Sequence, residues 1–356
     1  MKIFDTHAHY DSRGFKEDRE EILTYLHAGF PLPDGTVSTI KGNGASGVLQ
    51  DTIGSNGETI SVGRIVNNGA DMASSYTSLR LAEEHDYIYA AVGVHPDSAG
   101  ELVFSPEGCE VQEDEEDAST VTTDAGKEIL SASVTTDAGD TVKRKIIPED
   151  TCRKNREELR ALASKKKVVA IGEIGLDYHW DVWPREIQRK AFEWQWSLAE
   201  DMGLPVIIHS RDAAEDTLNM VKGFYTKLTP GKDGTADGAS ASKAVSPVKA
   251  VMHCYSYSVE HATEYLKLGL MFGIGGVVTF KNAKKLNEVV DMLPLDHILL
   301  ETDCPYMAPD PFRGKRNNSG YLTYVAEKIA QIKGLDVKQV YDTTWDNACR
   351  FFSMDQ

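Results

Sequence analysis

Two histidines, His7 and His9, stand two residues apart behind Asp5 in the stretch FDTHAH at 4–9. In an extended strand, side chains at i and i+2 point to one face. Both imidazoles and Asp5 then share a side of one strand. Two imidazoles on one face can chelate a metal ion. With 10 histidines in 356 residues the pair can equally be packing, and the rest of the chain has to decide. Further groups of the same chemistry are His95, Glu173 with Asp177, His209 followed by Arg211 and Asp212, His253, and Glu301 with Asp303. Imidazoles mixed with carboxylates suit Zn²⁺, Mn²⁺ and other borderline divalent ions. His27, His85 and His261 fall in helical patterns and His297 at a strand start, which assigns them to solvent or packing. His179 lies in a loop after Asp177, where it can touch substrate.

These groups need elements that aim them at one place. Eight short β-branched stretches read as buried strands: 2–9, 59–69, 87–96, 167–177, 204–212, 248–256, 270–280 and 297–306. The second has the weakest pattern. Between most of them lie helical patterns such as SYTSLRLAEEHD and REIQRKAFEWQWSLAEDMG, with apolar residues three and four apart. Strand and helix alternating eight times is the pattern of a (β/α)8 TIM barrel. A doubly wound open sheet is the alternative, but no Gly-x-Gly-x-x-Gly follows the first strand. Barrel enzymes keep their sites at the C-terminal ends of the strands, where the histidines and carboxylates fall.

The chain is expected to be one barrel domain over 1–356 with three insertions, at about 31–58, 100–148 and 229–247. The alternating Val, Ile and Thr of the second allow hairpins there. The net charge of −17 argues against loose, charge-driven nucleic-acid binding. However, residues 101–150 alone hold 14 acidic and 4 basic side chains, so the acidity belongs largely to one insertion. The apolar stretches are too short to span a membrane. The start, MKIFDTHAH, lacks the basic and apolar regions of a secretion signal. Five cysteines without framework spacing read as reduced thiols, which points to a cytoplasmic location. Nothing calls for an obligate protein partner.

Ordered motifs carry a resemblance: FDTHAH at 4–9, AVGVHP at 91–96, IGEIGLDYH at 171–179, LPVIIHSRDA at 204–213, HCYS at 253–256, GIGG at 273–276, ETDCPY at 301–306 and RGKRNN at 313–318. In this order they resemble the TatD family of metal-dependent deoxyribonucleases, within the amidohydrolase-type barrels. The resemblance implies two divalent metal ions, with Zn, Mn, Mg and Ni all conceivable. It implies His7 and His9 on one ion, His209 and His253 on the other, Glu173 bridging both, and Asp303 close to the first. Glu173 stands where many relatives in the wider superfamily carry a carboxylated lysine.

The implied activity is hydrolysis of phosphodiester bonds at single-stranded DNA ends, 3′→5′, with Glu173 and Asp303 as the catalytic carboxylates. Two cations lower the pKa of a shared water. Asp303 then orients that water and takes its proton. Asp5 and Glu301 are expected to support the ligands. Arg211, Arg313, Lys315 and Arg316 are expected to grip substrate phosphates, and His95 and Asn317 to bind substrate beside them. Tyr178, Tyr255, Tyr257 and Phe312 are candidates for stacking on bases. The chain departs from the family pattern at Asn318 and Ser319, where a proline is usual two residues after Asn317, and at Tyr257, where a glycine is usual. One alternative keeps the metals and changes the bond, to a D-aminoacyl-tRNA ester or a small cyclic amide. The other is an inactive barrel serving as a binding scaffold.

Overall fold

The computed structural model describes residues 1–31, 59–106, 109–110, 130–135, 141–227 and 248–355. Eight parallel strands form the barrel wall: β1 (Lys2–Ala8), β3 (Thr59–Asn68), β4 (Ile88–Val92), β8 (Val168–Asp177), β9 (Val206–Arg211), β10 (Ala250–Met252), β11 (Met271–Ile274) and β12 (Ile298–Leu300). They neighbour one another in that order, and the weakly patterned stretch at 59–69 proves to be the second strand. The wall closes where Ala8 bridges Cys304 in parallel, with His9 N donating to Cys304 O at 2.9 Å and Asp303 N to His7 O at 2.9 Å. Both faces of such a wall are covered, so its strands read as near-continuous apolar runs. β8, VVAIGEIGLD, is buried at every position.

Helices α1 (Arg19–Ala28), α2 (Met72–Glu84), α3 (Glu149–Ala163), α4 (Arg185–Met202), α5 (Ala214–Lys227), α6 (Val259–Lys267), α7 (Lys284–Met292), α8 (Leu322–Lys333) and α9 (Val337–Phe351) complete the described elements. In α4, Ile187, Ala191, Phe192, Trp196 and Ala199 fall on one face of the helix and are buried, and the helix stops at Gly203 in the left-handed region. α2 starts at a capping box, in which Asp71 accepts from Ser74 N at 2.6 Å. The floor of the barrel takes apolar residues from every strand, among them Phe4, Val66, Ala91, Val169, Ile207, Val251, Met271 and Leu299. Ala348 and Phe351 of α9, with Phe352 beyond it, seal that end, Phe352 stacking on Phe4 at 5.6 Å. Burying each such aromatic side chain contributes about 2 kcal/mol, and the sealed floor leaves the opposite end as the mouth.

The last strands are shorter than their apolar stretches. Residues 248–256 keep only Ala250–Met252 as strand, 270–280 only Met271–Ile274, and 297–306 only Ile298–Leu300. Positive φ at Cys254 (46°) and Asp303 (54°) turns the chain out of the ladder just past the strand ends. Gly276–Thr279 forms a 3-10 turn where strand was expected.

The insertion boundaries also move. Residues 96–101 form a 3-10 turn, Leu102 is fully buried, and Ile147 packs with Cys152 and Trp183, so both edges of the second insertion belong to the barrel. Between them β6 (Leu130–Thr135) and β7 (Thr141–Ile146) pair antiparallel, and β5 (Cys109–Glu110) pairs with β7. A hairpin stands where alternation allowed one. The first insertion leaves from β2 (Phe30–Pro31), which pairs antiparallel with the start of β3, at the end remote from the mouth. Residues 32–58 and 228–247 lie outside the described residues. Among the described residues, no helix is long and apolar enough to cross a membrane.

Candidate metal centre

Glu173, in the middle of β8, is the hub. Its Oε2 lies 3.7 Å from His7 Nε2, 3.6 Å from His209 Nδ1 and 3.7 Å from His253 Nε2, and its Oε1 lies 3.8 Å from His9 Nε2. Asp303 Oδ1 reaches His9 Nε2 at 3.4 Å, His7 Nε2 at 3.9 Å and His253 Nε2 at 4.0 Å. Three overlapping groups, His7–His9–Glu173, His7–His253–Asp303 and Glu173–His209–His253, each hold their ligand atoms within 4.8 Å of one another. All six residues expected as ligands therefore meet at the mouth.

Close backbone approach makes this possible. Gly175, at φ 149°, lets the His209 carbonyl come where a Cβ would sit 1.9 Å away, which draws β9 and His209 toward β8. Gly273 on β11 leaves room for the Glu301 carboxylate, which a Cβ would meet at 2.0 Å. That carboxylate accepts from Cys254 N at 2.5 Å and lies 3.2 Å from His253 Nδ1.

The far nitrogen of each imidazole determines what the near one can do. His9 Nδ1 faces the Asn68 carbonyl at 3.0 Å, so it must donate, and Nε2 is left as an electron-pair donor. His209 Nε2 lies 3.0 Å from Asp177 Oδ2, which leaves Nδ1 toward Glu173. Glu301 Oε1 faces His253 Nδ1 at 3.2 Å as a charge partner, outside hydrogen-bond alignment. Oxygen partners of this kind orient metal-ligating imidazoles and raise their basicity. His7 Nε2 and His9 Nε2 face each other at 3.2 Å, a spacing in which a shared proton or a cation relieves the repulsion of the two lone pairs.

The electrostatics agree. Burial opposes charge on His9, but the Asp303 hydrogen bond and the charges of Glu173 and Asp303 raise it to about 9. Burial likewise opposes charge on His209, yet Asp177 and Glu173 raise it to about 9. His253 is raised by Glu301 against the same penalty. Glu173, although buried, is held well below the usual carboxylate range by His209 and His7. His7 alone is driven down, by burial and then by the His253 charge. Without metal the cluster thus gathers protons around two carboxylates, and it offers nitrogen and oxygen donors where cations fit.

Asp5 does not join His7 and His9. The pairing of β1 slips between Asp5 and Ala8, and the Asp5 carboxylate instead accepts from Thr302 Oγ1 at 2.7 Å, Ser319 Oγ at 2.6 Å and Thr302 N at 3.1 Å. It ties β1 to the loop that carries Asp303. Ser319, which stands near the place of the usual proline, is used in that tie.

The expected substrate contacts divide. His95 packs edge-on to His209 at 4.1 Å, beside the cluster. Arg211 is exposed and lies over the Trp180 ring at 5.6 Å, and Arg313 lies over Phe280 at 4.4 Å. Arg316 departs from expectation: it forms a bidentate pair with Asp18 at 2.6 and 2.8 Å and donates to Gly14 O at 2.6 Å. Asn317 is 1% exposed and donates to Thr302 O and Tyr306 O, so it shapes the loop after β12. Both hold the site's frame.

The expected stacking aromatics are likewise engaged elsewhere. Tyr255 is buried, Phe312 stacks on Tyr321 at 4.3 Å, and Tyr178 donates to Asp216 at 2.6 Å under Arg185. Tyr257 joins Ser210 Oγ at 2.9 Å. His27 stacks on Tyr87, His85 pairs with Glu20, His261 with Glu215 and His297 with Asp296, as packing and surface roles require. His179 pairs with Asp212 at 3.1 Å.

Comparison with known proteins places this geometry. The TatD related DNase family matches residues 4–353. The metal-dependent hydrolase YabD of Bacillus subtilis, itself uncharacterized, is 33% identical over 353 residues, which is 99% of this chain and 100% of that protein. A protein of Rahnella named 3'-5' ssDNA/RNA exonuclease TatD is 32% identical over 201 residues, 55% of this chain and 69% of its own. Among solved structures, the TatD homolog YJJV of Escherichia coli shares the fold with a TM-score of 0.65 at 23% identity, covering 99% of this chain and 98% of its own. With the family match running almost end to end, the chain belongs to the TatD family of metal-dependent hydrolases.

Proposed function

We propose that this barrel, as one domain, hydrolyses phosphodiester bonds at the 3′ ends of single-stranded nucleic acid. The observation that carries the reading is the convergence of four imidazoles on Glu173, three of them with their far nitrogen facing an oxygen. The name of the Rahnella relative supports nucleic acid as substrate.

His7 and His9 would hold one divalent ion, His209 and His253 a second, and Glu173 both, with Asp303 beside the first. When bound, two such ions supply an acidified water and neutralise phosphate oxygens. Asp303 combines a place at the cluster with partial exposure, its side chain 20% accessible against 8% for Glu173. It can orient a water, accept its proton and return it to the leaving oxygen. Glu173, buried and anionic, stays a fixed ligand. Arg211, exposed at the last position of β9, and Arg313, exposed on the loop after β12, are the cations placed to meet substrate phosphates. Free thiols at Cys152, Cys254, Cys304 and Cys349 support a reducing, cytoplasmic compartment.

A substrate panel tests this reading. Metal-loaded protein is offered single-stranded DNA, single-stranded RNA, a D-aminoacyl ester and a cyclic amide. Release of mononucleotides is expected, and turnover of the ester or amide alone contradicts it.

A further inference from the structure

Five large apolar side chains are notably exposed among the described residues: Tyr76, Phe104, Trp180, Tyr306 and Met307. Isolated exposed apolar residues are ordinary on protein surfaces. These are not scattered. Four of the five stand on loops that follow barrel strands: Phe104 after β4, Trp180 after β8, and Tyr306 and Met307 after β12. The fifth, Tyr76 on α2, donates to Glu158.

Trp180 and Tyr306 are the most exposed of the set, at 53% and 62%. Each is anchored by a group of the metal cluster. Asp177 accepts from Trp180 N at 3.0 Å through Oδ1, while its Oδ2 holds His209. Tyr306 N donates to Asp303 O at 2.9 Å, and Asn317 donates to Tyr306 O at 2.8 Å. The backbones are therefore fixed to two different carboxylate-bearing residues of the cluster, while the rings stay more than half exposed, Trp180 with His179 against its edge at 5.0 Å. Arg211 lies over the Trp180 ring, so an aromatic face and a phosphate-pairing cation occur together.

We infer that Trp180 and Tyr306 are two stacking subsites that hold the planar bases of a single-stranded nucleic acid on either side of the reacting phosphate. The inference rests on the nuclease reading above and adds where the bases go. A ring presented to water on a backbone tied to the reaction centre suits a base, whose flat face it can cover whatever the base's identity. Tyr178, Tyr255, Tyr257 and Phe312 cannot serve in this way, since their hydroxyls or rings are engaged within the protein. Preference among bases is accordingly weak, and single strands are favoured over duplex, in which the base faces are already stacked.

The test uses full-length, metal-loaded protein and two oligonucleotides, one with natural bases and one with abasic sites in its last positions at the 3′ end. Trp180→Ala and Tyr306→Ala are each expected to raise KM for the natural strand roughly tenfold, with kcat changed less than twofold. Trp180→Phe and Tyr306→Phe keep a stacking face and should retain wild-type KM. On the abasic strand all five proteins should share one raised KM. Natural-strand KM unchanged in both alanine variants overturns the inference, as does an equal rise on the abasic strand. If wild type releases nothing from either strand, the nuclease reading fails and the inference falls with it. Release with unaffected KM sinks the inference alone.

Discussion

Asp177 Oδ2 lies 3.0 Å from His209 Nε2, while Asp177 Oδ1 accepts the backbone N–H groups of His179 and Trp180 at 2.9 and 3.0 Å. One carboxylate thus aims an imidazole of the cluster and ties down the loop beside it. Burial opposes its charge, but His209 and the Trp180 N–H hold it down at about 2. Asp177→Asn should keep the fold and weaken metal binding roughly 10- to 100-fold, as loss of such an orienting partner does elsewhere. Titration calorimetry with Mn²⁺ reads this directly. An unchanged affinity would show that His209 needs no help from Asp177.

The raised histidines give a pH signature in metal-free protein. His9 and His209 stand at about 9 against an ordinary 6.5. A histidine raised in the folded state contributes stability that is complete below about 6.5 and is lost as pH climbs through about 9. With chelator present, Tm should fall across that window. With excess Mn²⁺ or Zn²⁺ the cations replace the protons, and the fall should be suppressed. Metal affinity should rise over the same window as protons cease to compete. Identical Tm profiles with and without chelator would rule out this exchange.

Asp5 serves stability. Its buried carboxylate accepts from Thr302 and Ser319, and Asp5→Ala strands those donors. The expected loss is about 2–4 kcal/mol, measured by chemical unfolding. Burial pushes Asp5 up to about 7, so a neutral acceptor suits the position and Asp5→Asn should cost less. Equal losses for the two variants would mean that the acceptor is not what matters.

The acidic insertion offers a test of substrate length. Residues 107–146 leave and rejoin the barrel between buried edges at Leu102 and Ile147. The insertion follows a barrel strand, and barrel loops of that kind border the mouth. Replacing 107–146 with a short Gly-Ser linker should raise the rate on long single strands more than on trinucleotides, by relieving like-charge repulsion. A length preference that does not change would remove the insertion from substrate selection.

The cluster was legible because its chemistry lies in residue types: four histidines and Asp303 fall near or just beyond the end of a strand-like stretch, and Glu173 is a carboxylate inside one. Asp177 was legible too, since it lies four residues from Glu173 on one strand and so shares its face. Its partner could not be read, because a contact with His209 depends on how two strands register. The Asn68 carbonyl that orients His9 had no signal at all, as every residue has a carbonyl. Arg316 read as a phosphate grip from its neighbours Arg313 and Lys315, yet its partner Asp18 lies 298 residues away in sequence. The strand ends were overestimated for a related reason: strand-favouring residues such as Tyr255 and Thr302 continue past Met252 and Leu300, while left-handed turns at Cys254 and Asp303 end the ladder. The aromatics were misread because composition cannot separate a packed ring such as Phe312 from an exposed one such as Trp180.

The central claim is that this cluster hydrolyses nucleic-acid ends with metal. Its most direct test is nucleotide release from a 5′-end-labelled single-stranded DNA oligomer. Wild type and Asp303→Asn are compared with Mg²⁺, Mn²⁺ or Zn²⁺ and with chelator. The account predicts stepwise shortening by wild type that needs metal, and at least a hundredfold loss in the variant, on the order of removing a positioned general base. Equal release by both proteins, or no release by wild type with any of the three ions, would contradict it.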